Sequence, residues 1–278
     1  MPETREPPVF RLRNDAWLDA GTNWTADVTA TFTHGFDAHP GGGLAFFTSR
    51  EEAVHPLAVL VPAGVVAAVR PGDPVSFSGG GLTIGPCRLS PGPALTPPGR
   101  PPLNDWSLVR ENVRTIRRCL PLLPAASPLL DSIRGDVPTL FAAPLARLRE
   151  GLAAGSLDLQ AFLGWFGAGE GLTPSWDDLV TGLLLADRWA GRHRLSFPDA
   201  LLEDLGGRTT AVARWQLAMA REGKSSLRWE AFLAHLLTRP VSARDILAAG
   251  RFGHSSGAEI LAGISLALTD APGHQSPG

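Results

Sequence analysis

The chain has no tyrosine, only two methionines and two cysteines in 278 residues, and Lys224 is the single lysine among its 25 basic residues. Cys87 and Cys119 are too few for a disulfide framework and too far apart for a zinc knuckle, so both are read as reduced thiols. No apolar run reaches the length of a membrane span, and Met1 to Asn14 mixes charges with prolines around no apolar signal core. A cytoplasmic location is the expectation. With a net charge of −2 and no basic cluster interleaved with aromatics, neither nucleic acid nor an anionic membrane is an expected partner. A Gly-x-Ser-x-Gly elbow, a P-loop and a dinucleotide fingerprint are all absent. The arginine bias and the missing tyrosine read as the imprint of a GC-rich genome.

A hydrophobic content of 44% is enough for a core, and the pattern changes near residue 103. Before it, short β-prone runs (Val28 to Phe36, Leu44 to Thr48, Leu57 to Val61, Val65 to Val69, Val75 to Phe77, Leu82 to Ile84) alternate with glycine- and proline-rich turns. Gly41-Gly42-Gly43 and Gly79-Gly80-Gly81 read as hairpin turns, since neither opens a helical segment. Residues 86–102 hold seven prolines and read as an extended connector. After Asn104 or Asp105, either a suitable N-cap, helical periodicity takes over. It predicts helices at 106–120, 128–134, 139–153, 158–166, 175–190, 198–205, 210–222, 226–238, 243–250 and 257–269. The expected fold is α+β: a β-rich, barrel-like domain over 1–103, then a mostly α-helical domain over 104–278.

The densest segment is Gly169-Glu170-Gly171-Leu172-Thr173-Pro174-Ser175-Trp176-Asp177-Asp178-Leu179-Val180-Thr181-Gly182. Glycines allow a sharp turn, Thr173 or Ser175 is placed to cap a helix, and two carboxylates follow at once. A second segment, Gly253-His254-Ser255-Ser256-Gly257-Ala258-Glu259-Ile260-Leu261-Ala262-Gly263, lies over the first without a gap, Ser175 on Ser256, Asp178 on Glu259 and Gly182 on Gly263. A capping box explains the serine and the acid of each copy. It does not need the flanking and internal glycines. Two such helices packed through Gly182 and Gly263 would bring both N-termini, with their partial positive charge, to one place.

A third segment, Gly206-Gly207-Arg208-Thr209-Thr210-Ala211-Val212-Ala213, again sets glycines and hydroxyls at a helix start. Arg208 suits a bidentate contact to a carboxylate or phosphate, unless it is a plain surface arginine beside a threonine cap. Asp177 and Asp178 point about 100° apart on a helix, so they do not form a paired-carboxylate site. One of them could hold Mg²⁺ while the other faces solvent or a cap, and the repeat makes Asp178 the inward one. No residues have the spacing of a metal-ligand set, and magnesium is the one cofactor these acids suggest. His34, His39 and His55 lack the spacing of a zinc site, whereas His254 sits inside the repeated turn.

Taken together, GEGLTPSWDDLVTG, GGRTTAV followed by REG, and GHSSGAEILAG resemble the three signature blocks of a bacterial domain-of-unknown-function family that includes a subunit of the oxamate carbamoyltransferase of anaerobic allantoin breakdown. The resemblance covers roughly residues 165 to 268. It implies chemistry on carbamoyl phosphate and a small oxo-acid amide such as oxamate, in purine nitrogen catabolism and alongside other subunits. The alternative is a non-catalytic regulatory subunit that binds a small anion or metabolite, and a homo-oligomer is the alternative to a mixed assembly. On this reading Asp178 and His254 are the candidate catalytic residues. Gly171, Thr173, Ser175, Asp177, Arg208, Thr209, Thr210, Ser255, Ser256 and Glu259 are the candidate substrate-binding residues. The family pattern usually has glycine where this chain has Trp176 and aspartate where it has Glu259, so Trp176 is expected at the site mouth, reshaping the pocket.

Overall fold

A computed structural model of the protein describes residues 8–17, 23–123, 126–135 and 139–269, so Met1 to Pro7 of the charged, proline-bearing start lies outside the described residues. It divides into two compact units, Met1–Pro98 with Ser226–Glu230, and Gly99–Ser225 with Ala231–Gly278.

The first unit is a nearly closed barrel-like sheet of eight strands: β1 (Val9–Phe10), β2 (Trp24–Phe32), β3 (Gly35–Ala38), β4 (Ala45–Thr48), β5 (Ala58–Leu60), β6 (Pro74–Ser78), β7 (Gly81–Ile84) and β8 (Cys87–Pro91). They run in the order β1-β8-β7-β6-β2-β3-β4-β5, antiparallel except for the β1–β8 and β4–β5 pairs. Arg11, just past β1, exchanges two 2.9 Å backbone hydrogen bonds with Leu60 of β5 and draws the two edges together. Inside lie Phe36 and Phe47, stacked at 4.5 Å, with Val75, Leu82, Ile84 and Leu89.

Three strand expectations change. The run Val28 to Phe36 is broken at Thr33-His34, where a hairpin turns β2 into β3. Val65 to Val69 is not a strand: all but Val69 belong to a short helix, α1 (Ala63–Ala68), which starts after Pro62. Valine's strand preference is mostly a preference for packed surroundings, and Val65 and Val66 find these in the barrel core from a helical turn. β8 lies within the stretch read as a connector. Its prolines stand just before the strand and at its last residue, so Leu89 is still able to pair with Leu82. Of the expected hairpin turn Gly79-Gly80-Gly81, Gly79 and Gly80, at φ 55° and 74°, form the turn between β6 and β7, and Gly81 opens β7.

The second unit is helical. Its elements are α2 (Trp106–Cys119), α3 (Pro128–Arg134), α4 (Ala142–Ala153), α5 (Ser175–Trp189), α6 (Asp199–Asp204), α7 (Ala211–Arg221), most of α8 (Leu227–Thr238), α9 (Ala243–Gly250) and α10 (Ser256–Ala267). Asp105 is the cap chosen for α2, accepting from Ser107 N at 2.8 Å and Leu108 N at 3.2 Å. The predicted helix at 158–166 is a 3-10 coil, Leu159–Trp165. Nearly every residue of α5 and α10 is buried, which makes them the two central helices around which the rest pack. No helix among the described residues is long and apolar enough to cross a membrane.

Candidate functional site

The gapless repeat of the sequence is a pseudo-symmetric helix pair. A Cβ on Gly182 of α5 would sit 2.1 Å from Ile260 O of α10, and a Cβ on Gly263 of α10 would sit 2.1 Å from Leu179 O of α5. Equivalent positions thus make equivalent contacts, backbone against backbone. At the N-terminal ends Thr173 Oγ1 and Ser256 Oγ share a hydrogen bond of 2.9 Å, so the two helix starts lie side by side. The third segment joins them: Thr210 caps α7 by accepting from Ala213 N at 3.0 Å, and its hydroxyl donates to Leu172 O just ahead of α5. Three helix N-termini are tied together by two hydrogen bonds, and their partial positive charges add.

Neither repeat is a capping box. Pro174 is the N-cap of α5 and Ser255 that of α10, and neither side chain makes a cap hydrogen bond. Thr173 is committed to Ser256, and Ser175 is buried against Gly169, where an added Cβ would meet Ser175 N at 2.3 Å. The acids therefore sit one residue too far into the helix to close a box, Asp178 and Glu259 being the fourth residue of their helices. Both point inward, and both are fully buried.

Asp178 Oδ1 accepts from Gln216 Nε2 of α7 at 3.2 Å. Among the described residues its buried Oδ2 has no hydrogen-bond partner, and neither has the buried Thr181 Oγ1 one turn along. Glu259 is satisfied on both oxygens, by Ser127 Oγ at 2.6 Å and Ser255 Oγ at 3.2 Å. Burial pushes the Asp178 carboxyl up to about 8 and the charge of Glu259 adds to this, while Ser256, Thr173 and Gln216 oppose it. Asp177 was expected to face solvent or a cap if Asp178 turned inward, and it does not. Only 1% exposed, it accepts from Gly167 N at 3.0 Å and from the Thr209 hydroxyl, and burial raises it to about 6.

Other candidates lie at the rim. Arg208 is exposed, and its guanidinium has no hydrogen bond or ion pair among the described residues; its carbonyl packs on Gly167, where a Cβ would come within 1.9 Å. His254 is exposed in the turn before α10, and Gly171 is exposed at φ 89°. Trp176 is not at the mouth. It is fully buried, facing Phe162 at 5.7 Å, Trp165 at 6.1 Å and Phe141 at 6.2 Å. Among the described residues no group of three or more His, Cys, Asp or Glu could hold a metal ion, and His34 and His55 instead meet Arg50 and the Leu57 N–H.

Residues 165–268 match the family model for the oxamate carbamoyltransferase subunit AllH. The match takes in all three motif segments, α5, α7 and α10, and leaves the barrel outside. No curated protein and no solved structure matches the chain. Within the AllH-matched span Gln216 and Gly167 escaped the sequence reading, as did Ser127 outside it. Gln216 stands in an amphipathic helix that also carries Arg214 and Arg221, with nothing local to single it out, and Ser127 gives a cap signal but no hint of a partner 132 residues away.

The raised Asp178 sets a pH dependence. A carboxyl whose folded pKa lies above its unfolded value stabilises the fold fully below the unfolded value, near 3.8, and that stabilisation is lost as pH rises towards about 8. Wild-type stability should fall with pH across this window by up to about 1.4 kcal/mol per unit from this group. Asp177 and Asp37, each raised to about 6, slope the same way, so the difference between wild type and Asp178→Asn isolates the effect. Urea denaturation at pH 5, 7 and 8.5 should show the variant gaining on wild type as pH rises. Parallel curves would mean Asp178 is ionised throughout.

Proposed function

We propose that the chain is a carbamoyltransferase-type enzyme subunit, acting with other subunits on carbamoyl phosphate and a small oxo-acid amide such as oxamate. The observation that carries this reading is the coincidence of the AllH match with a place where three helix starts converge. Phosphate and carboxylate groups are stabilised by such helix ends. The exposed Arg208 supplies a fork for bidentate contact beside Thr209 and Thr210. His254, next to Ser255, is the exposed imidazole placed to move protons at the rim, and Asp178 is the inner acid. Asp177, through Thr209 and Gly167, holds the third segment against α5.

Two measurements test the reading. Phosphate or oxamate at millimolar concentration should raise the melting temperature of the wild type by mass action on the folded state, and Arg208→Ala should abolish the rise. Oxalurate with phosphate should yield carbamoyl phosphate and oxamate when the chain is combined with its partner subunits. Anion binding with no turnover in any combination would instead favour a regulatory subunit that binds a small metabolite. No melting shift with either anion would remove the anion pocket.

A further inference from the structure

Buried polar atoms in folded proteins nearly always have a partner, so an orphan at a candidate site calls for one from outside. Asp178 Oδ2 is such an orphan, in a side chain with no exposed surface. The other oxygen, Oδ1, is engaged as an acceptor by the Gln216 amide, so in the neutral acid the proton belongs on Oδ2. The hydroxyls of Thr173 and Ser256 face the same carboxyl and are only partly buried, but one hydrogen is used in the bond between them, leaving a single O–H to spare.

We propose that Asp178 Oδ2 is a hydrogen-bond donor to a carbonyl oxygen of the ligand, and so the group that reads an amide or carbamoyl carbonyl at the paired helix starts. The ligand reaches it by parting the Thr173–Ser256 bond, and the hydroxyl released there is a second donor to the same oxygen. Two helix N-termini behind these donors favour an oxygen that gains negative charge as its carbonyl reacts. Burial keeps the acid in its donating form at neutral pH. A neutral carboxylic acid is worth more here than a carboxylate, which would repel both a carbonyl oxygen and an anion.

The charged and titratable groups around Asp178 are few. α10 presents Glu259, held by Ser127 and Ser255; α7 presents Gln216, which does not titrate; and on α5 itself Asp177 is turned to Gly167 and Thr209. His254 lies exposed beyond Ser255. The proposal rests on the carbamoyltransferase reading for the class of carbonyl and the choice of probes.

The test is calorimetric binding of oxamate and of its neutral ethyl ester to the full chain between pH 6 and 9.5, for wild type, Asp178→Ala and Asp178→Asn. Wild-type affinity for both probes should fall about tenfold per unit above pH 8, where the donor is lost. Asp178→Ala should bind at least tenfold more weakly at pH 6. Asp178→Asn, which restores a donor that cannot ionise, should recover binding relative to alanine and abolish the pH dependence. A neutral ester that binds without pH dependence, an asparagine variant no better than alanine, or no binding of either probe would each overturn the donor role. If the binding pattern holds but oxalurate is not cleaved with any partner subunit, the transferase reading fails and the donor stands. If turnover occurs without the pattern, the donor fails alone.

Discussion

Gly263→Ala should separate the two central helices and cost about 3 kcal/mol or more, the upper end for forcing an extra methyl into a packed interior. The added carbon would lie 2.1 Å from Leu179 O and 2.9 Å from Leu183 N, both backbone atoms of α5, which cannot rotate aside. Alanine's better helix propensity returns only about 1 kcal/mol. Gly182→Ala should behave alike, since its carbon would lie 2.1 Å from Ile260 O and 2.9 Å from Ile260 C. Because each substitution pushes apart the same pair, the double variant should cost less than the sum of the two. Parting the helices also moves apart the two helix starts that hold the donors around Asp178, so oxamate binding should weaken in step with stability. Urea denaturation of the three variants decides it: a stabilised Gly263→Ala would mean that the helices do not touch there.

Much of this architecture was legible because its signals are local. Glycines, prolines and cap residues gave most helices of the second unit to within a residue or two, as with Asp105 ahead of α2. The repeat was readable for a different reason. A glycine in the eighth position of each helix is required by a contact, and the same contact made twice leaves the same spacing twice. Spacing could not show what each side chain meets in three dimensions. Ser175, Asp178 and Glu259 carry the letters of a cap, yet Pro174 and Ser255 begin the helices without one, and the shift of one residue turns both acids inward. The valine run of α1 and the prolines flanking β8 misled for the converse reason: burial in the barrel overrode local preference.

Trp176 is another residue that only the fold could place, and its removal should have a large effect on stability. The indole is fully buried among Phe141, Phe162 and Trp165, so Trp176→Ala should cost about 3–5 kcal/mol through lost burial and the cavity left behind. Trp176→Gly should cost about 1 kcal/mol more, because the position is helical. Trp176→Phe should lose far less, since an aromatic ring is retained and the indole N–H, which has no hydrogen-bond partner among the described residues, disappears with the substitution. An indole at the rim would give the opposite pattern, with small losses throughout and admission of longer substrates in the glycine variant. Chemical denaturation and calorimetry of oxamate against longer oxo-acid amides, run on the same three variants, separate the two. Stability that falls in the order phenylalanine, alanine, glycine with unchanged ligand preference makes Trp176 part of the core that fixes the start of α5, and leaves the polar groups around Asp178 as the candidates for ligand selection.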